Sequence, residues 1–290
     1  MTVLDDPRTG PQPAPGTVRS SRARRYVMCR PTAFAVRYAI NPWMDTSVAV
    51  DRARALAQWE ALVRTYRSHG HTVELIEPLA DHPDMVFAAN GAVVAGDRAY
   101  GSRFRYTERE AEAPAHATWL TAHDFAVQPA GHPSEGEGDF LVLAHAVLAG
   151  SGFRTDLAAH VEAAAVLDRP VVSLELVDPR FYHLDTALAV LDDGHGEAPP
   201  DIAYFPGAFS RHSRRTLREL FPDALLCSEA EALSFGLNAV GDGRHVFLPA
   251  DATELAGRLA ARGYAPVPVD LDEFLKAGGS VKCCTMELHR

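Results

Sequence analysis

Strand-like and helix-like segments alternate along this chain in about five units of roughly fifty residues, the spacing of many repeat architectures. The first unit has a strand at 26–31, a helix that begins near Ser47 and ends at Gly70, and a strand at 72–76. A doubly wound parallel sheet also alternates strands and helices, but no Gly-x-Gly-x-x-Gly or phosphate-binding loop follows a strand here. The pattern therefore indicates a repeated α/β fold.

The remaining elements are predicted from hydrophobic periodicity and turn residues. Asp251 and Glu254 have the spacing of a capping box, and Gly241-Asp242-Gly243 predicts a hairpin turn. Helices are predicted over 107–123, 156–167, 211–220 and 251–263. Strands are predicted at 86–95, 126–128, 140–145, 171–176, 186–191, 202–205, 224–227, 238–240, 245–248, 267–271 and 281–288.

The composition excludes several classes of partner. The chain has 290 residues, of which 47% are hydrophobic and 23% charged, as in ordinary globular proteins. No apolar run approaches the ~20 residues that span a bilayer, and a formal net charge of −10 disfavours nucleic acid. Four cysteines, two of them adjacent, match neither a disulfide framework nor the usual spacing of a zinc site. We therefore expect a cytoplasmic protein with no metal, cofactor, membrane or nucleic-acid partner.

The N-terminal segment differs from the rest. Residues 1–24 are rich in Pro, Gly and Arg and lack the apolar core of a signal peptide, which predicts a disordered tail. Residues 25–290 are long enough to bury a sizeable core, and we expect them to form a single domain.

Three polar motifs stand out against this background. The segment Gly278-Gly279-Ser280-Val281-Lys282-Cys283-Cys284 precedes the end of the sequence, His183-Leu184-Asp185-Thr186 lies mid-chain, and Glu135-Gly136-Glu137-Gly138-Asp139 comes earlier. Taken alone, the two cysteines are as well explained as small buried hydrophobes. Together, however, the motifs supply a thiol, a base and carboxylates, which nucleophilic attack on a cationic substrate requires.

These motifs, together with the segment at 83–90, resemble the guanidine-modifying (pentein) superfamily, and the resemblance extends from about Tyr26 to the C-terminus. It implies a five-module α/β propeller with pseudo-fivefold symmetry and an active site in the central channel. It also implies a cofactor-free, cysteine-dependent hydrolase of a small guanidino compound, and it leaves a homo-oligomer open.

The resemblance assigns the catalytic roles. Cys283 is the nucleophile and Cys284 a packed neighbour, because the family places its thiol at the first of these two positions. Adjacent residues of a strand face opposite sides, so only one of the two can face the channel, and the residues alone leave the choice nearly even. His183 is the general acid and then the base, and Asp185 accepts guanidinium hydrogen bonds from the same side of an extended segment. Glu135 is the second carboxylate, although Glu-Gly-Glu-Gly-Asp also permits Glu137.

Further residues are candidates for binding the substrate. Arg154 resembles the arginine that clamps the α-carboxylate, although it could equally be a surface residue before a helix. Asp84 belongs to the 83–90 motif, and Arg103 and Asn238 are weaker candidates. His69 and His71 have no obvious acidic partner, and we expect both at the surface rather than on a metal. These expectations together define the substrate-binding set Asn90, Asp185, Arg154, Asp84, Arg103 and Asn238.

Asn90 distinguishes between members of the superfamily. Arginine deiminases and dimethylarginine hydrolases carry an aspartate here, whereas the dihydrolases carry asparagine, and Pro42-Trp43-Met44 also resembles the arginine dihydrolases. The resemblance therefore implies hydrolysis of arginine or a close derivative to ornithine or citrulline with ammonia. Dimethylarginine hydrolysis, amidino transfer and a non-catalytic binding module are the alternatives.

Overall fold

A computed structural model describes residues 19–196 and 198–289 and has a mixed α/β fold. Its strands form five small three-stranded sheets. The strands are β1 (Arg25–Cys29), β2 (Thr72–Ile76), β3 (Ala92–Ala95), β4 (Arg98–Gly101), β5 (Ala126–Gln128), β6 (Phe140–Val142), β7 (Val147–Ser151), β8 (Val171–Glu175), β9 (Leu188–Asp192), β10 (Asp201–Tyr204), β11 (Leu225–Leu226), β12 (Val240–Gly241), β13 (His245–Pro249), β14 (Ala265–Val269) and β15 (Met286–Glu287).

A helix connects each parallel strand pair, as parallel pairing requires a long crossover. These helices are α1 (Arg52–Ser68), α2 (Glu112–Ala122), α3 (Leu157–Leu167), α4 (Arg211–Leu220) and α6 (Thr253–Ala261). The short helices α5 (Glu229–Leu233) and α7 (Asp272–Leu275) lie between sheets. Short 3-10 turns at 83–86, 88–91, 136–138 and 184–186 carry three of the nine predicted site residues and directly follow two more, Glu135 and His183.

All five sheets share one arrangement. The middle strand pairs antiparallel with one neighbour and parallel with the other. In four sheets the three strands are consecutive along the chain, whereas the remaining sheet has the order β15-β1-β2. The last strand of the chain therefore completes the sheet that the first two strands begin.

Several predicted boundaries agree with the structure and others are wrong. The strands at 72–76 and 126–128 and the helix at 211–220 have their predicted limits. Helix α1 begins at Arg52 rather than Ser47, because the side chain of Asp51 caps it by accepting from the backbone N–H of Arg54. The predicted helix at 107–123 is a 3-10 turn at 107–109 followed by α2.

The predicted C-terminal strand is the most consequential correction. Residues 281–284 form a turn, and only Met286 and Glu287 are in β15. The backbone N–H of Cys284 bonds the carbonyl oxygen of Ser280, in the manner of a helical turn. The argument that Cys283 and Cys284 lie on opposite faces of a strand is therefore wrong, although both side chains are buried.

One hydrophobic cluster joins the first helix to the cysteine segment. Trp59 and Tyr66 of α1 pack in the same cluster as Phe87, Cys283 and Cys284. Burial of this apolar surface helps to stabilise the irregular 281–284 turn.

The predicted tail lies only partly within the described residues, since 1–18 fall outside them. Residues 19–24 are attached to the fold: Arg19 pairs with Asp201 at 3.1 Å, and Arg24 pairs with Asp193 and with Glu287. Among the described helices, none combines the length and apolar character needed to cross a membrane.

Candidate active site

One cavity brings most of the predicted residues together. Asp84, Asn90, Arg109, Arg154, His183 and Cys283 are among its lining residues. Nearly all of these polar side chains are buried, which strengthens the electrostatic interactions inside the cavity.

Cys283 is held by two polar neighbours. Its Sγ lies 3.3 Å from Oδ2 of Asp185 and 3.1 Å from Nδ2 of Asn238. Oδ1 of Asn238 accepts hydrogen bonds from the backbone N–H groups of Lys282 and Cys283. Asn238 therefore fixes the turn that presents the thiol.

The protonation of the thiol follows from these contacts. Burial and the neighbouring Asp185 carboxylate raise the pKa of Cys283 well above its usual range. Burial also raises the pKa of Asp185 to about 7, although Lys282 and the thiol act in the opposite direction. Without another cation at this point, the sulfur keeps its proton.

His183 lies on the other side of the cavity, in contact with Glu135. Its Nε2 is 2.8 Å from Oε2 of Glu135, and Nη1 of Arg154 donates to the same oxygen at 2.7 Å. Burial favours the neutral form of Glu135, but Arg154 and His183 outweigh it and hold the pKa of that carboxyl well below its usual range. Glu135 is therefore an anion that orients both the imidazole and the guanidinium.

The structure distinguishes the two glutamates that the sequence left open. Glu135 faces His183, whereas Glu137 pairs with Lys282 and accepts the backbone N–H of Glu287. The 3-10 turn at 136–138 sends the two side chains in different directions, and Gly136 has φ +53°, where glycine is favoured. Only Glu135 is in contact with the histidine.

His183 and Asp185 are not on one face of an extended segment, as the sequence predicted. Leu184–Thr186 is a 3-10 turn, so His183 contacts Glu135 while Asp185 contacts Cys283. The backbone N–H of Leu184 donates to Oδ1 of Asp139, which links this turn to the Glu135 segment. The two side chains are therefore presented to different parts of the site.

Asn90 is part of a buried network that the sequence did not reveal. Its Oδ1 accepts from Nη1 of Arg109 at 2.8 Å, and its Nδ2 donates to the backbone oxygen of Glu135 at 3.3 Å. Arg109 in turn forms a bidentate pair with Glu112. Arg109 belongs to no recognised motif, and its one sequence signal was the acidic partner three residues later, the (i, i+3) spacing of a helical pair.

Asp84 has an oxygen available for a ligand. Its Oδ2 accepts from the hydroxyl of Tyr38 at 2.9 Å, while the buried Oδ1 has no hydrogen-bond partner among the described residues. Burial raises the pKa of the Asp84 carboxyl, and the positive charge of Arg109 offsets part of that rise. An incoming cation would satisfy this oxygen.

The two arginine predictions have different outcomes. Arg154 lines the cavity, donates to the backbone oxygen of Ile40 at 2.7 Å and lies between the rings of Tyr106 and Tyr182. Arg103 does not reach the cavity: its side chain is exposed and donates to the backbone oxygen of Gly131.

The histidines predicted at the surface and a group of possible metal ligands are not among the residues that line the substrate cavity. His71 is buried, contrary to expectation, with Nε2 3.4 Å from Oδ2 of Asp242. A different group, Asp193, Glu287 and His289, brings three possible metal ligands near one another. The guanidinium of Arg24, however, already pairs with both carboxylates of that group. These charges are therefore balanced by the protein itself.

Among models of known protein families, none matches this chain. Individual proteins do match. A dimethylarginine dimethylaminohydrolase of Mycobacterium tuberculosis is 55% identical over 271 residues, which cover 93% of this chain and 88% of that protein. The bifunctional arginine dihydrolase/ornithine cyclodeaminase AgrE of Nostoc is 36% identical over 91% of this chain, but the match covers only 38% of its length.

This chain belongs to the guanidine-modifying hydrolase family of dimethylarginine dimethylaminohydrolase and arginine dihydrolase. Solved structures of the family agree with the fold. The N-terminal domain of the cyanobacterial arginine dihydrolase ArgZ, a mutant bound to substrate, has a TM-score of 0.86 at 36% identity, over 91% of this chain and 97% of that one. A structure of that domain also holds a covalent reaction intermediate. The dimethylarginine dimethylaminohydrolase of Pseudomonas aeruginosa shares the fold, with a TM-score of 0.77 at 18% identity.

Proposed function

We propose that this protein hydrolyses the guanidino group of arginine or a close derivative through a covalent thiouronium on Cys283. One observation carries the proposal: a thiol, a carboxylate-paired imidazole and two buried arginines line a single cavity. A binding module would have no use for the thiol and imidazole together.

The charges along the cavity support one orientation of the substrate. The guanidinium meets Asp185 beside Cys283, because a carboxylate accepts two of its N–H groups. The free oxygen of Asp84 accepts from the α-ammonium. The α-carboxylate lies against Arg154, as the sequence predicted, with Arg109 as a second cation on the same wall.

Substrate binding also activates the nucleophile. The guanidinium adds a positive charge beside Cys283, and a neighbouring cation stabilises a thiolate. The thiol proton passes to the Asp185 carboxylate, whose Oδ2 lies 3.3 Å from the sulfur, and the sulfur attacks the guanidinium carbon. His183 then protonates the departing nitrogen, the C–N bond breaks, and ammonia or an amine leaves a thiouronium on Cys283.

His183 acts a second time, as a base. Having given up its proton, the imidazole takes one from a water molecule, which attacks the thiouronium carbon. The C–S bond then breaks, the thiolate is restored and a ureido amino acid remains. Throughout, the Glu135 carboxylate stabilises the protonated imidazole.

Asn90 supports arginine dihydrolase as the leading function. An amide offers one acceptor and two donors, so it can bond a ureido oxygen, which an aspartate cannot. A retained ureido intermediate is attacked again by Cys283, loses a second ammonia and is hydrolysed to ornithine and carbon dioxide. Dimethylarginine hydrolysis is the second candidate, which the 55% identity to the mycobacterial enzyme favours.

The experiment that tests these proposals uses the purified chain with L-arginine, asymmetric dimethylarginine and agmatine. Ornithine, citrulline, ammonia and dimethylamine are measured by amino-acid analysis and mass spectrometry, with Cys283→Ala as the blank. We expect arginine to yield ornithine, and agmatine to react poorly because it lacks the carboxylate. Citrulline as the sole product would reject the dihydrolase, and no turnover of any of the three would reject the function.

We also propose that the five sheets stand as blades around a pseudo-fivefold axis, with the site in the central channel. A second cavity supports this arrangement. This rear cavity is lined by residues of β6, β9 and β12 together with the charged side chains of Arg24, Glu137, Asp193, Lys282, Glu287 and His289. Because Glu287 belongs to β15, strands from four sheets contribute residues to this cavity. That residues 25–290 are a single domain is a further proposal, as is a cytoplasmic location, which the four free cysteines support.

A further inference from the structure

The side-chain amide of Asn238 uses all of its hydrogen-bonding capacity around the nucleophile. Its Oδ1 accepts from the backbone N–H of Lys282 at 3.0 Å and from that of Cys283 at 3.2 Å. Its Nδ2 donates to Sγ of Cys283 at 3.1 Å and to the backbone oxygen of Asp185 at 3.3 Å. An amide has two donor hydrogens and two acceptor lone pairs, so each of them has a partner here.

These partners determine which way round the amide lies. An asparagine amide is oriented by the groups that its oxygen and its nitrogen face. In the reverse orientation its NH₂ group would face the two backbone N–H groups of the 282–283 segment, and its oxygen would face the carbonyl oxygen of Asp185. Both contacts would be repulsive. An N–H group of Asn238 is therefore directed at the sulfur of Cys283.

Asn238 has no exposed surface. Its exposed fraction is 0%, and it is absent from the described residues that line the substrate cavity, whereas Cys283 is among them. The neighbouring Leu237 and Ala239 are buried in a hydrophobic cluster, and the backbone N–H of Asn238 bonds the carbonyl oxygen of Phe235 at 2.9 Å. The surrounding fold therefore holds the amide against the sulfur rather than toward the substrate.

A hydrogen bond from this amide is strongest when the sulfur is an anion. Before the substrate binds, the thiol donates to Oδ2 of Asp185 at 3.3 Å. Once that proton has left, the sulfur carries a full negative charge, and hydrogen bonds to ionised acceptors are about twice as strong as neutral ones. The amide also lowers the pKa of Asp185, so it favours negative charge on either member of the pair. The titratable or charged groups around the sulfur are Asp185, Cys284 and Tyr182, with Asp84, Arg109, Arg154 and His183 across the cavity.

We propose that Asn238 is a catalytic residue that stabilises the Cys283 thiolate, both before it attacks the guanidinium carbon and after the C–S bond breaks. Among the described side chains, it is the only one whose N–H group is bonded to this sulfur. The inference rests on the proposed function, in which the thiolate is the nucleophile. It gives Asn238 a role toward the sulfur in place of the substrate-binding role that the sequence predicted.

The test follows alkylation of Cys283 by iodoacetamide between pH 6 and 9.5, with no guanidino substrate present and with peptide mass spectrometry as the readout. Asn238→Asp keeps an oxygen for the two backbone N–H groups, but its carboxylate has no donor for the sulfur. Asn238→Leu has a similar size and adds no charge. Both should raise the thiol pKa by about one unit or more. Alkylation at pH 7.5 should then slow about three- to fourfold for each unit, because the thiolate fraction falls tenfold while the more basic thiolate reacts faster.

Two controls separate this effect from titration of Asp185 and from loosening of the turn. In an Asp185→Asn background the sulfur is the one member of the pair that ionises, and Asn238→Leu should still slow alkylation there. Thr285→Val removes two hydrogen bonds of the turn, from Oγ1 to the carbonyl oxygen of Val281 at 2.8 Å and with the hydroxyl of Tyr66 at 3.0 Å. Its alkylation profile should match the wild type.

The buried Cys284 reports on folding in the same digests, since it should stay unlabelled wherever the fold is intact. If leucine at position 238 leads to labelling of Cys284, Asn238→Ala takes its place with the same expectation. Slower alkylation in Asn238→Asp alone would assign the effect to the added charge and overturn the proposal. A wild-type or faster rate in the uncharged variant, with Cys284 unlabelled, would also overturn it.

Steady-state kinetics with arginine provide the second measurement. Each unit of thiol pKa should lower kcat by up to about tenfold, with KM near the wild-type value because Asn238 does not line the cavity. A raised KM with wild-type kcat would restore the substrate-binding role and overturn the proposal. Slower alkylation in both variants of a protein that turns over no guanidino compound would support the role of Asn238 toward the sulfur and reject the proposed function.

Discussion

Oε2 of Glu135 accepts hydrogen bonds from two groups at once, Nε2 of His183 at 2.8 Å and Nη1 of Arg154 at 2.7 Å. One carboxylate oxygen therefore links the acid–base residue to the proposed carboxylate clamp. A change at Glu135 should disturb proton transfer and substrate binding together.

Glu135→Gln should lower kcat by about 10²-fold or more, the scale of general acid–base contributions, and should also raise KM. The neutral amide no longer stabilises the imidazolium or orients Arg154. Steady-state kinetics with arginine measure both effects. Glu231, a buried partner of Arg258 at 2.7 Å, provides the control: Glu231→Gln should lower thermal stability and leave kcat unchanged. A Glu135→Gln variant with wild-type kcat would contradict the role assigned to Glu135.

His183→Ala should leave the fold intact and stop turnover, because the water that attacks the thiouronium loses its base. Because His183 also protonates the departing nitrogen, the thiouronium should form slowly, and intact-protein mass spectrometry after mixing with arginine measures how much of it accumulates on Cys283. His160, another buried histidine, bonds Ser173 and the backbone of Gly150 outside the site. His160→Ala should therefore turn over substrate normally. Near-normal turnover by His183→Ala would show that another group moves the proton.

Cys283→Ser should lose turnover by several orders of magnitude, because a hydroxyl is far less ionised than a thiol at neutral pH. Cys284→Ser is the matched change one residue away. It buries a hydroxyl among apolar side chains and should cost about 1–3 kcal/mol of unfolding free energy with little loss of kcat. A haloacetamidine that labels the nucleophile should mark Cys283, and labelling of Cys284 would reverse the assignment.

Most of the fold could be predicted where periodicity and end signals coincide. In α1 the apolar residues Trp59, Leu62 and Tyr66 recur at helical spacing, and Gly70 with φ +86° ends the segment. Strands β4 and β7 were not predicted, because each follows its antiparallel partner across a short turn. The capping box was expected at Asp251, but the structure has one at Ser228 and Glu231. Side-chain spacing alone does not reveal whether a cap forms.

The site was predictable only where residues belong to local motifs. Cys283, His183 and Glu135 come from three separate segments that the fold brings together, and each motif is recognisable in isolation. Arg109 and Asn41, which also line the cavity, have ordinary local contexts, so their importance depends on tertiary packing alone. Arg103 is the opposite case. Its local sequence made it a candidate for binding the substrate, but its side chain lies at the surface.

Asn90→Asp should raise the share of citrulline among the products, provided that ornithine is the main wild-type product. The new carboxylate holds the guanidinium but repels the ureido oxygen, so the intermediate leaves after one round. Timed quenching with amino-acid analysis measures the ratio. Asn90→Ala is the useful comparison, because it removes both hydrogen bonds without adding charge. An unchanged product ratio in Asn90→Asp would show that Asn90 does not retain the intermediate.

Asp185→Asn should abolish turnover and stabilise the protein at alkaline pH. Burial raises the pKa of Asp185 from 3.8 to about 7, so its contribution to stability is fully present below about pH 4 and is lost as pH rises through about 7. The amide avoids that loss, and Tm should exceed the wild-type value at pH 8 by roughly 2 °C for each kcal/mol gained. The difference should vanish near pH 4.

A carboxyl with the opposite shift provides the control. Burial disfavours the ionised form of Asp242, but bonds from His71 and His245 outweigh it and lower its pKa to about 2. Its stabilising contribution is therefore present at neutral pH and lost in acid. Asp242→Asn should lower Tm at pH 7. A lower Tm for Asp185→Asn at pH 8 would contradict the sign worked out for that residue.

The pairing of β15 with β1 has a consequence for how the protein is made. Synthesis proceeds from the N-terminus, so the other four sheets have all their strands before β15 leaves the ribosome. The sheet of β1 and β2 lacks its third strand until β15 arrives. The turn that carries Cys283 is translated immediately before it, so the reactive thiol joins a scaffold whose carboxylates and imidazole are already assembled. A nascent chain of this protein therefore carries no catalytic activity until its final strand has been delivered.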